Sequence, residues 1–87
     1  MTTQQMVGWV RKVGEHNFGY ARIDKVRAAM NIPRHEFDAT LEEAWDAGLV
    51  YPTAGNNEGM TMEEVNNCYK DSNGFLHINL RETPRGN

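Results

Sequence analysis

The sequence predicts a small α+β fold in which three helices precede and support a short antiparallel sheet. Three observations carry that prediction. Apolar residues recur at helical spacing in three stretches, Met6 to Val13, Ile23 to Met30 and Phe37 to Trp45. Leu76, Ile78 and Leu80 then alternate with Phe75, His77 and Asn79, the period of a strand with one buried face. Ahead of them, Asp71-Ser72-Asn73-Gly74 carries the Asn-Gly pair of a hairpin turn.

The first helix is expected over about Thr3 to Val13. Thr2 or Thr3 can cap it; Met6, Val10 and Val13 form its apolar stripe with Trp9 beside them, and Gly14 ends it. Asn17-Phe18-Gly19 reads as a turn with Phe18 plugging the core, and Tyr20-Ala21-Arg22 as a short strand. Asp24 is expected to cap the second helix, whose stripe is Ile23, Val26 and Met30. Pro33 disfavours helical geometry at Ile32 and suits a helix start, so Asn31-Ile32-Pro33 separates the second helix from the third. Phe37, Leu41, Ala44 and Trp45 give the third helix one broad apolar face, and Gly48 supplies a left-handed exit into the strand Leu49-Val50-Tyr51. Helices joined so tightly cross steeply, and the first helix must cover their joint apolar surface.

From Pro52 to Gly59 the chain is rich in Pro, Gly and Asn and reads as a loop. Thr61 with Glu64 three residues later forms a capping box for one or two helical turns through about Asn67. Cys68-Tyr69-Lys70 then pairs across the turn with a last strand, Phe75 to Arg81, whose core side is Leu76, Ile78 and Leu80. Residues 82–87 read as a disordered tail of the single domain that spans residues 1–87.

From about Met6 to Arg81 this order resembles the winged helix-turn-helix domains: a short helix, an Ile-Pro turn, a longer helix with Phe, Leu and Trp on its inner face, a Gly exit and a hairpin. The resemblance implies a small winged helix, three main helices with a two- or three-stranded antiparallel sheet as wing, and double-stranded DNA as the partner of a regulatory module.

Composition narrows the classes. At 39% hydrophobic and 24% charged residues the chain can build a core, so global disorder is excluded. No apolar run reaches a membrane span and the N-terminus lacks a signal-peptide core, so a cytoplasmic protein with no membrane partner is expected. The lone Cys68 admits no internal disulfide.

A net charge of −3 opposes simple duplex binding, but the charge is polarised along the chain. Residues 1–35 carry Arg11, Lys12, Arg22, Lys25, Arg27 and Arg34 against Glu15 and Asp24, whereas residues 36–71 carry only Lys70 against nine acids. Under the resemblance, Arg22, Lys25, Arg27, Arg34 and His35 grip phosphate and reach base edges, with Arg11 or Lys12 extending the band. A homodimer, with Trp9 as one candidate contact, would double that footprint. The rival reading uses Asp38, Glu42, Glu43 and Asp46 on the outer face of the third helix to bind a basic protein, or to mimic nucleic acid towards one, with Tyr51 or Phe75 as anchors. Solvated surface is the plain alternative for both sets.

No catalytic residue is expected, because Ser72 lies in a turn and Cys68 has no histidine near it in sequence. His16, His35, His77 and Cys68 lack the close spacing of zinc ligands, and Gly55 to Gly59 lacks the residues of a phosphate loop, so neither metal nor cofactor is implied.

Overall fold

A computed structural model describes residues 2–84. The elements run α1 (Thr3–Gly14), β1 (Tyr20–Arg22), α2 (Ile23–Met30), α3 (Arg34–Asp46), β2 (Val50–Thr53), α4 (Met62–Asn66), β3 (Tyr69–Lys70), β4 (Leu76–His77) and β5 (Asn79–Glu82). The fold is α+β with the layout of a small winged helix. β5 lies between β1 and β2, antiparallel to both, and β3 pairs with β4 in a separate hairpin.

α1 begins as its sequence suggests. The Thr2 hydroxyl accepts from the Gln5 N–H while the Gln5 side chain accepts from the Thr2 N–H, a reciprocal cap. Met6, Val7 and Val10 are buried from α1, Ile23, Val26 and Met30 from α2, and Phe37, Leu41 and Ala44 from α3. Leu80, Val50 and Ala21 close this core from the sheet, where Tyr20 pairs with Arg81, Ala21 with Leu80 and Pro52 with Leu80.

Five expectations need correction. Phe18 does not plug the core: it is 89% exposed, at φ 55°, on the tip of the turn closed by Gly19 N–H donating to Gly14 C=O. Gly14 already packs against the backbone of Gly19 and Tyr20, where an added Cβ would lie 2.9 Å from the Gly19 carbonyl carbon, so no ring fits between them. Asp24 does not cap α2. The helix starts two residues earlier, with extended Arg22 at its cap position, and the Asp24 carboxylate accepts from the Arg22 guanidinium at 2.9 and 2.7 Å instead.

Trp45 belongs only in part to the inner face of α3, being 39% exposed at the helix edge. The end of the chain departs as well: Glu82 is the last residue of β5, and Thr83 N–H donates to Leu49 C=O at 3.0 Å, while residues 85–87 lie outside the described residues. The expected last strand is moreover two strands. It breaks at buried Ile78, whose C=O accepts from Ile23 N–H and whose N–H donates to Thr53 C=O, so the chain passes there from the hairpin into the main sheet.

Strand β2 lies at the edge of its sheet and contains Pro52. Because Thr83 N–H meets Leu49 C=O, the positions alternating with Leu49 face β5 with their hydrogen-bonding groups, and Pro52 stands between them. Its missing N–H therefore lies on the open side.

Candidate functional site

The segment between β2 and β5 folds back along α3. Arg34, Asp38, Glu42 and Trp45 form one stripe of that helix at steps of four, four and three residues, and each faces this segment. At one end the Arg34 guanidinium donates to the C=O groups of Asn66 and Cys68 and stands 3.9 Å from Asp38. In the middle Tyr69 donates its hydroxyl proton to Glu42 Oε2 at 2.8 Å. At the other end Trp45 meets His77 edge to face at 5.8 Å, and His77 stacks on Tyr69 at 5.8 Å.

This geometry sets the electrostatics. Burial, then the Glu42 carboxylate, pushes the Tyr69 hydroxyl well above the usual phenol range, so it keeps the proton that it donates to Glu42. Burial also raises Asp38, outweighing the pull of Arg34 and Arg27. Asp71 is held below the ordinary carboxylate value, first by its hydrogen bond with His77 Nε2 at 2.9 Å and then by the N–H groups of Phe75 and Asn73.

Three of the five residues expected to grip DNA already hold acceptors within the protein. Arg22 binds Asp24 and Glu64, Arg27 donates to the Asn67 side chain at 2.9 Å, and Arg34 binds the two carbonyls. Lys25 and His35 are exposed. Arg11 makes a two-pronged pair with Glu82 at 2.8 and 2.6 Å, Lys12 lies over the Trp9 ring, and Arg81 lies over Tyr20. The structure thus brings Arg22, Arg27 and Arg34 together on residues 64–68 and leaves Lys25 and His35 outside that group.

Of the acidic set, Glu43 and Asp46 are exposed on α3, Glu42 holds Tyr69, and Asp38 is half-buried. Glu42, Trp45, Asp46, Tyr69, Asp71, Ser72 and Asn73 surround a surface cleft of about 310 Å³ between α3 and the β3–β4 turn. The Trp45 ring forms its aromatic wall, and three carboxylates stand around it.

Asp71, Tyr69 and His77 were not among the expected site residues. The hairpin register, which opposes Tyr69 to His77, was the available signal, since the Asn-Gly turn sets which residues face each other. Nothing local showed that this pair would land against Trp45. Among the described residues no cluster of three or more His, Cys, Asp or Glu is placed to hold a metal ion, and no helix is long and apolar enough to cross a membrane. Compared with protein-family models, curated proteins and solved structures, the chain matches none.

Proposed function

We propose that this winged-helix domain is a protein-interaction module that takes a lysine- or arginine-bearing segment of a partner. The observation that carries the reading is the cleft at Trp45, where Glu42, Asp46 and Asp71 surround exposed aromatic surface. A cationic side chain entering it meets carboxylates at the rim and the exposed Trp45 ring, and the two attractions add. Exposed Glu43, on the same helix, lengthens the anionic surface.

Duplex DNA is the second reading, favoured by the element order and by the central place of β5, the arrangement in which a third helix enters the major groove. It is weaker because Arg22, Arg27 and Arg34 already hold internal acceptors and the segment after β2 lies along one stripe of α3.

The test uses Trp45 as its own reporter in a Trp9→Phe background, because the chain has two tryptophans. An arginine-rich decapeptide should shift Trp45 emission saturably, a glutamate-rich peptide should not, and Glu43→Lys with Asp46→Lys should weaken binding at least about tenfold, as expected for loss of two favourable charges. A mixed-sequence duplex that binds while the basic peptide does not would replace this reading with the second.

A further inference from the structure

The β3–β4 hairpin has two faces. Opposed residues of an antiparallel pair point to the same side, so Tyr69 and His77 share the side that meets Trp45, whereas Lys70 and Leu76 share the other. That second side borders a surface cavity of about 410 Å³, bounded also by the first turns of α3 and the end of α4. Its size falls within the roughly 300–1,000 Å³ that suits a small molecule. Half-buried Val65 and Leu76 give it apolar wall, and Gly74 adds no side chain to fill it.

The charged groups around this cavity are held in place with bonding capacity to spare. Arg34 is anchored through Nη2, which donates to the carbonyls of Asn66 and Cys68, while its Nη1 has no acceptor among the described residues. Asp38, one helical turn further on, stands 3.9 Å from Arg34 Nε, too far for a hydrogen bond. Its carboxylate is half-buried yet accepts a hydrogen bond from none of the described residues. Burial accordingly raises it above its ordinary value despite the nearby arginines, the mark of a charge that lacks compensation. Lys70 is exposed, and its ammonium group has no carboxylate partner among the described residues.

We propose that this cavity binds a free α-amino acid with an apolar side chain. The ligand's ammonium group donates to Asp38, its carboxylate accepts from Arg34 Nη1 and from Lys70, and its side chain lies against Val65 and Leu76. Arg34 and Asp38 are a cation and an anion side by side, and an α-carbon bearing both charges presents the complementary pair at comparable spacing. A simple carboxylic acid would meet Asp38 as a like charge, and a simple amine would meet Arg34 and Lys70 as like charges; the zwitterion answers all three. This cavity and the cleft at Trp45 lie on different sides of the hairpin, so the proposal stands or falls independently of peptide binding there.

The test titrates leucine, methionine and phenylalanine into the protein, into the millimolar range, and follows the backbone amides by NMR. At least one of them should shift the amides of Asn66, Lys70 and Leu76 saturably. Its carboxamide, which lacks the carboxylate, and its N-acetyl derivative, which lacks the ammonium group, should each bind at least about tenfold more weakly. Asp38→Asn, which breaks no hydrogen bond of the fold, should weaken binding by a similar factor with an unchanged circular dichroism spectrum, and Lys70→Gln should weaken it severalfold. Arg34 is left in place because it also ties Asn66 and Cys68. No saturable shift with any of the three, equal binding of either derivative, or undiminished binding by Asp38→Asn overturns the proposal.

Discussion

Asp71 shows how much one side chain can organise. Its Oδ1 accepts from the N–H groups of Asn73 and Phe75, shaping the hairpin turn, while its Oδ2 meets His77 and fixes the ring that stacks on Tyr69. Its folded-state pKa lies below the unfolded value of about 3.9, so the carboxylate stabilises the fold at every pH above that value, and the contribution is lost as pH falls through the lower folded one. Urea midpoints of the protein and Asp71→Asn, measured from pH 7 to pH 2.5, should differ most at the upper end of the carboxylate range and converge below about pH 4. A difference that stays constant across that range would mean the residue acts through turn geometry and not through its charge. From sequence, Asp71 was visible only as the first residue of a turn. Its second role depends on a histidine six positions away whose side of the strand was legible but whose neighbours were not.

Among the elements, α1 illustrates why two glycines in one helix have opposite meanings. Gly8 is exposed and an added methyl would meet nothing within 4 Å, so Gly8→Ala should stabilise by roughly 0.5–1 kcal/mol through helix propensity alone. At Gly14 the same methyl would press on backbone atoms of Gly19 and Tyr20 at 2.9 to 3.1 Å, and backbone cannot step aside, so Gly14→Ala should lower the thermal midpoint by several degrees, on the order of 1–3 kcal/mol. Both are read in one pair of thermal melts followed by circular dichroism. Helix positions were legible because each packs an apolar stripe against the same core: Phe37, Leu41 and Ala44 are buried as their spacing requires. Phe18 was misread because hydrophobicity alone says nothing of room, and the close approach of Gly14 to Gly19 leaves none. Asp24 was misread for a related reason, since an arginine two residues before it competes successfully for the carboxylate.

Over the whole molecule, the basic side of the charge polarity that is so plain along the chain is partly tied up by polar groups from its acidic stretch. Arg22 from the basic third meets Glu64 from the acidic stretch 42 residues away, Arg27 reaches Asn67 across 40, and Arg34 reaches Cys68 across 34. Periodicity reports which residues are buried, and it is silent on polar contacts of such sequence separation. The basic band and the acidic face were therefore both visible as compositions, while the closure of Arg22, Arg27 and Arg34 on residues 64–68 was not. That closure sets the question of which surface a partner meets, and the peptide and duplex experiments above address its two ends.

Pro52 bears on how copies of this molecule behave towards one another. The free side of β2 is one of the two edges of the sheet at which a second chain could add a strand, and there Pro52 offers no backbone donor. Pro52 thereby disfavours edge-to-edge growth at β2, a hazard distinct from any side-chain interface. Replacing Pro52 by Val, a good strand former, restores the donor, and the variant should show faster thioflavin-positive aggregation on prolonged incubation while its monomeric circular dichroism spectrum stays unchanged. Unaltered aggregation kinetics would place the protection elsewhere, in the shortness of the four-residue strand itself.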